Sequence, residues 1–235
     1  QALRRARYAR GALNFETAQA RPVFNDGVLT DMRADERNRA KELIEDFMIA
    51  VNEIIARLLE SRSVSSIRRV VREPARWARI VALAADAGVH LPPAPDSKAL
   101  NDFLVARAQA DPDRFPDLSL AVVKLMGPGE YALERPGQRG AGHFGLATDD
   151  YTHSTAPNRR FADLVTQRLV KALLTDTPPP YADDALAAIA ANCTAKANAA
   201  RKVEREMSKR IAAVALQHRI GQRFDAVVTG VTPHG

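Results

Sequence analysis

Residues 143–164 read HFGLATDDYTHSTAPNRRFADL, and no other stretch of the chain says as much about its fold and chemistry. Pro157 suits the first turn of a helix, where its missing N–H costs nothing, with Thr155 or Ala156 as the cap. The spacing predicts a helix from about Asn158 to Leu174 with Arg159 and Arg160 in its first turn. Cations at that end oppose the helix dipole, at a cost of a few tenths to about 1 kcal/mol unless an anion compensates. Free backbone N–H groups and two guanidinium forks make a phosphate site. The same two arginines can equally pair with Asp149, Asp150 or Asp163 in a structural network, and the residues alone leave both readings open.

Around this stretch lie 235 residues with 34 Lys+Arg against 28 Asp+Glu, a formal charge of +6 that favours a polyanionic partner. Hydrophobic residues at 46% and charged residues at 26% argue against a disordered chain. The lone Cys193 excludes an internal disulfide or a thiolate metal cage, and the five histidines show no metal-binding spacing, so a reducing cytoplasm is expected. No apolar run reaches membrane-spanning length, and the opening Gln1-Ala-Leu-Arg-Arg-Ala-Arg has no following apolar segment. Neither a membrane span nor a secretory signal is expected. The chain opens in mid-pattern without an initiator Met, which points to a part of something larger.

Towards the N-terminus, Asn25-Asp26-Gly27 between apolar pairs reads as a hairpin turn. From about Ala34 to Glu60 apolar residues recur at steps of three and one, the pattern of a long amphipathic helix. Val64–Val71 has the β-branched content of a short strand. Helical patterns follow from Glu73 to Ala87, stopped by Gly88, from about Ser97 to Ala110, and near Leu118 to Met126. The Gly-rich segment from Gly127 to Asp150 reads as loop with short strands. Beyond Pro178-Pro179-Pro180 a very long helix is expected from Asp183 to about Arg219, ended by Gly221. Phe224-Asp-Ala-Val-Val-Thr-Gly-Val then alternates like the opening strand of a β module.

Tyr151-Thr-His-Ser-Thr-Ala-Pro-Asn-Arg-Arg-Phe-Ala-Asp-Leu164, with His143-Phe-Gly-Leu eight residues earlier, resembles the C-terminal signature of the RNB catalytic domain of the ribonuclease II family. The family pattern is roughly Tyr-Thr-His-Phe-Thr-Ser-Pro-Ile-Arg-Arg-Tyr-x-Asp-Leu; this chain departs from it at Ser154, Ala156, Asn158 and Phe161. Leu43-Ile-Glu-Asp-Phe-Met-Ile-Ala-Val-Asn52 is similar to the family's Glu-Glu-x-Met-x-x-Ala-Asn helix. Lys202-Val-Glu-Arg-Glu206 is similar to its late Ala-Glu-Arg-Glu, and Arg10-Gly-Ala-Leu-Asn-Phe15 is a weaker match. The matches fall in the family's order over residues 4 to 220.

The resemblance implies an α+β fold: residues 1–220 as the mainly helical C-terminal portion of an RNB domain, and residues 221–235 as the first strand of an OB-type barrel. It implies Mg²⁺-dependent 3′-to-5′ hydrolysis of single-stranded RNA to nucleoside 5′-monophosphates. Arg159 matches the arginine at the scissile phosphate, where preorganised positive charge is usually a large catalytic term. Glu45 matches a glutamate clamping the terminal nucleotide and Glu204 one lining the RNA channel; Tyr151, His153, Thr155 and Arg160 fall in the site's RNA-binding neighbourhood. The family's Mg²⁺ is held by aspartates near the start of the domain, a type of ligand that Mg²⁺ prefers. No such motif precedes Gly11, so the ligands are expected upstream of Gln1 and the isolated chain is expected to be nearly inactive. Asp149-Asp150 reads as turn and cap chemistry instead.

Periodicity places Glu45 with Met48, Asn52 and Ala56 at the border of the apolar face, and Asp46 with Glu42 and Glu53 on a more solvated one. It turns Glu204, between Ala200, Met207 and Ile211, towards packed surface. The expected partners are single-stranded RNA and the N-terminal half of the same protein, in a monomer. Two rivals remain: a family member that grips RNA without cutting it, and a helical scaffold that oligomerises through the stripe Leu186, Ile189, Cys193, Ala197, Ala200, Val203, Met207, Ile211 and Val214.

Overall fold

The computed structural model describes residues 1–15, 20–26, 28–34, 38–138 and 140–223. Helix α1 (Ala2–Ala9) leads to the antiparallel hairpin β1 (Ala20–Asn25) and β2 (Val28–Ala34), and then to the long helix α2 (Arg39–Ser61). Strand β3 (Ser66–Val70) follows, then helices α3 (Trp77–Asp86), α4 (Ser97–Ala110) and α5 (Phe115–Met126). Strand β4 (Glu130–Glu134) returns antiparallel to β3, pairing Ser66 with Glu134 and Val70 with Glu130. A short 3₁₀ turn (Phe144–Leu146), α6 (Phe161–Leu174) and the 34-residue α7 (Asp183–Leu216) complete the mixed, mainly helical architecture.

Local chemistry sets these boundaries. Asp26 takes a positive φ of 48° in the two-residue turn between the paired Asn25 and Val28, as the Asp-Gly signal requires. The Asp96 side chain accepts from the N–H groups of Lys98 and Ala99 and starts α4 where the pattern places it. By contrast α2 begins at Arg39, not near Ala34, because Ala34 still belongs to β2 and Asn38 caps the helix through the Lys41 N–H. The tail from residue 224, where an OB-type strand is expected, lies outside the described residues.

One apolar centre sits among α3, α4 and α5, around Trp77, Ile80, Leu100, Leu104 and Val122. A second joins α2, β3, α6 and α7 through Leu59, Ile67, Val165, Leu169 and Leu186. Each fully buried Leu or Ile there contributes roughly 1.5–3 kcal/mol. This second centre carries the segment from Tyr151 to Arg160 on its rim.

Two faces differ from expectation. On α2 the carboxylate face is the packed one: Asp46 and Glu53 are buried, while Leu43, Ile44, Phe47, Val51 and Ile54 are exposed. The cause is α1, whose Arg4 and Arg7 reach Asp46 at 3.1 Å each, with Arg10 reaching Glu53 at 2.9 Å. On α7 the stripe is buried only at Leu186; Val203, Met207 and Val214 are exposed, and so is Glu204, which does not turn towards packed surface. Among the described residues no helix is long and apolar enough to cross a membrane.

Candidate nucleic-acid interface

The segment of residues 142–154, which contains the 3₁₀ turn, passes beside β3 at both its ends. Val71 donates its N–H to the Gly142 carbonyl, Arg69 donates to the Tyr151 carbonyl at 2.8 Å, and the Thr152 hydroxyl donates to the Ile67 carbonyl at 2.6 Å. From the other side Asn52, only 1% exposed on α2, locks the same segment. Its Nδ2 donates to the Tyr151 hydroxyl, and its Oδ1 accepts from both the N–H and the hydroxyl of Ser154. Gln167 on α6 adds a bond to the Ser154 carbonyl. Asn52 was legible as a polar residue set within an apolar stripe, a pattern that signals a buried hydrogen-bonding task.

The expected helix start at Asn158 is not what forms. Pro157-Asn158-Arg159 is a turn, in which Arg159 and Arg160 both donate their N–H groups to the Ala156 carbonyl, and α6 begins at Phe161 with Arg160 at the cap. The reason is Asp163, completely buried in the first turn of α6. Its Oδ1 accepts from the Ala156 N–H at 2.8 Å and from the Arg160 guanidinium at 2.7 Å. The carboxylate offsets both the helix dipole and the Arg160 charge. Both arginines therefore precede the helix, and they have separate tasks. Arg160 is tied to Asp163 and, at 3.4 Å, to the Thr155 hydroxyl. Arg159 is exposed, and among the described residues no ion pair or side-chain hydrogen bond engages its guanidinium.

Behind the turn stands a ladder of rings. His143 meets Tyr151 edge to face at 5.2 Å, Tyr151 meets His153 at 5.8 Å, and His153 meets Tyr131 at 5.6 Å, with the Tyr131 hydroxyl 2.8 Å from His153 Nδ1. Burial, then the charges of Arg160 and Arg69, holds the His153 pKa down at about 3; burial and Arg69 hold His143 at about 4. Both imidazoles are neutral at pH 7. Unfolded histidine titrates near 6.5, so below that pH the unfolded chain binds protons that the folded one refuses, and stability falls with pH between about 6.5 and 4. Shifts of this size are worth on the order of 3 kcal/mol per histidine. Urea unfolding at pH 7 and pH 5 should show a markedly weaker chain at pH 5, and His143→Asn should lessen that difference. Equal loss in the variant would put the acid sensitivity elsewhere.

Glu45 lies across a cavity of about 650 Å³ from Tyr151, with Ile44, Met48 and Ile49 also lining it. Its carboxylate is half exposed and 3.7 Å from Arg7. Tyr151, His153, Thr155 and Arg160 are thus brought together, Glu45 shares the Tyr151 cavity, and Glu204 stands exposed on α7.

The carboxylates among the described residues do not suit Mg²⁺. Glu60, Glu134, Asp149 and Asp150 line one cavity, but the buried Arg68 guanidinium stands among them, 3.1 Å from Glu134 and 3.6 Å from Glu60. A cation already fills the electrostatic role that a divalent ion would take. Among the described residues no group of three or more His, Cys, Asp or Glu side chains is placed to hold a metal ion.

The pattern of the RNB domain matches residues 1–176 of the 235. The chain belongs to the RNB family. Its relatives include ribonuclease R 1 of Lactococcus lactis, 28% identical over 97% of this chain and 28% of that protein. Mycoplasma genitalium RNase R, solved with ribose-methylated single-stranded RNA, superposes with a TM-score of 0.86 at 19% identity, over 99% of this chain and 37% of that one. Yeast Ssd1, described as a pseudonuclease, gives a TM-score of 0.58 at 24% identity, over 67% of this chain and 20% of that one. The chain spans about three-tenths of the length of the curated RNB-family relatives it matches.

Proposed function

We propose that residues 1–220 form the RNA-gripping portion of an RNB domain that hydrolyses single-stranded RNA from the 3′ end to nucleoside 5′-monophosphates, with an OB-type module beginning at Gly221. One observation carries the reading. Arg159 is presented on a turn pinned by Asp163 and, among the described residues, left without a counter-charge, beside a partner arginine that has one. A guanidinium fork held ready in this way suits a phosphate whose charge grows in the transition state. Glu45 and Tyr151, facing one cavity, are the groups assigned to the terminal nucleotide. Thr155 and Arg160 shape the turn, His153 backs it, and Glu204 borders the RNA along α7. Mg²⁺ would supply the activated water, held by aspartates upstream of Gln1, and the N-terminal half of the domain is the partner assigned to the exposed apolar stripe of α2.

The test is trimming of 5′-labelled single-stranded RNA by the chain alone and by the chain joined to upstream RNB sequence. A ladder of shortened RNA and 5′-monophosphates only in the joined protein with Mg²⁺ is expected. Robust hydrolysis by the 235-residue chain alone would place the metal among its own carboxylates. A joined protein that binds RNA and never cuts it would favour the second reading, a non-catalytic RNA-binding member, a role compatible with this fold because the pseudonuclease Ssd1 shares it.

A further inference from the structure

The two adjacent arginines of β3 are treated in opposite ways. Successive strand residues point to opposite faces. Arg68 is buried against Glu134 and Glu60. Arg69, on the other face, is half-buried over the Tyr131 ring at 5.0 Å, and the charged side chains acting on it besides the tyrosines are Arg201 and Arg160. Among the described residues it has no carboxylate partner, whereas Arg4, Arg7, Arg10, Arg57, Arg72 and Arg135 all have one.

Gly129 lies against the Arg69 side chain. A Cβ on Gly129 would meet the Arg69 guanidinium, so any larger residue there would push that flexible side-chain end aside. The Gly129 carbonyl accepts from the Arg201 guanidinium at 3.3 Å, bringing a second cation from α7 to the same point, where Asn198 steadies it at 2.8 Å. Both guanidinium groups lie at Gly129, and among the described residues no carboxylate pairs with either, beside neutral His153 and the hydroxyl of Tyr131. Leaving like charges together in a partly desolvated place is unfavourable unless an anion completes it.

We propose that Arg69 and Arg201, gathered at Gly129 beside Tyr131, form a second phosphate-binding position, separate from Arg159. The inference rests on the RNA reading above. Its ligand is a phosphate group, either a phosphodiester of the RNA chain or the phosphate of a free nucleoside monophosphate. Each cation that neutralises a single-strand phosphate adds about 0.7 to the slope of log affinity against log salt.

The experiment compares the unaltered chain with Arg69→Gln, Arg69→Lys and Arg201→Gln. Binding of a single-stranded RNA oligonucleotide is measured from low to moderate salt, binding of adenosine 5′-monophosphate in parallel, and thermal unfolding as a control. For a chain phosphodiester, Arg69→Gln and Arg201→Gln each lower the salt slope by about 0.7, Arg69→Lys largely keeps it, and monophosphate binding is unchanged. For a free nucleotide, both Gln variants lose monophosphate binding and keep the RNA slope. If Arg69 only props up Tyr131, its variants shift the unfolding temperature and neither binding measure, and folded Gln variants with both measures intact overturn the proposal. Should Arg69→Gln fail to fold, Arg201→Gln decides, since its side chain lies outside the Tyr131 stack. An unaltered chain that binds no RNA at any salt sinks the RNA reading itself and this inference with it, a result distinct from unchanged slopes in a chain that does bind.

Discussion

Arg68→Met is expected to destabilise the chain by about 3–5 kcal/mol at pH 7, the cost of breaking a buried ion pair from one side. For a chain of this length that is a drop of roughly 10 °C in the unfolding midpoint. The Arg68 side chain is 2% exposed and makes no well-directed hydrogen bond; charge alone links it to Glu134 at 3.1 Å and Glu60 at 3.6 Å. Without it Glu134, only 9% exposed, is left facing the other carboxylates, and burial already holds its pKa above the usual glutamate range. A carboxyl whose folded pKa is raised takes up its proton earlier in the folded chain, so acid relieves the variant. The difference between variant and unaltered chain should therefore shrink from pH 7 to pH 5. The double variant Arg68→Met/Glu134→Leu should recover most of the loss, since an apolar pair of similar volume needs no counter-charge. A single-variant cost below about 1 kcal/mol, equal at both pH values, would mean that water enters the site and screens it.

The same pair marks the limit of what the sequence discloses. Helix α4 starts at Ser97 and ends at Ala110 as read, because Asp96 supplies its cap locally and Asp111-Pro112 follows. The hairpin at Asp26 is equally local, a matter of which residues tolerate a positive φ. The orientation of α2 was not local. Its periodicity shows which residues share a face, and both a carboxylate face and an apolar face are present. The choice between them was made by three arginines of α1, more than thirty residues away, whose pairing buries Asp46 and Glu53. The stripe of α7 is one continuous pattern in sequence, yet it is fully buried only at Leu186 near its N-terminal end, although β2, β3, β4 and α6 all touch the helix.

Within the site the motif identified the neighbourhood, and tertiary contacts divided the labour. Arg159 and Arg160 are indistinguishable in sequence except by order. The carboxylate of Asp163 takes one and leaves the other, and by accepting from Ala156 it turns an expected first helical turn into a presented loop. Asn52, ninety-nine residues from Tyr151, holds the segment from behind. Arg69 and Tyr131 escape sequence reading because a cation stacked on a ring leaves no spacing pattern.

That division of labour gives the remaining prediction its form. On the exoribonuclease reading proposed above, Arg159→Lys in the full-length protein keeps the charge and loses the planar fork able to contact two phosphate oxygens together. If those contacts tighten as charge develops on the scissile phosphate, the loss falls on the bound complex, on the order of 100-fold in single-turnover rate, or about 2.7 kcal/mol of barrier. RNA affinity should fall much less, because other cations along the path share the counterion term. Arg160→Lys should show the opposite profile. Its guanidinium is bound to Asp163 at 2.7 Å, so its loss loosens the turn, lowering the unfolding midpoint while costing less in rate. Single-turnover cleavage, equilibrium binding and thermal unfolding of both variants separate the two roles. An Arg159→Lys enzyme that binds poorly yet cleaves normally once saturated would make Arg159 a docking residue, and an Arg160→Lys enzyme that keeps its stability and loses its rate would exchange the two assignments.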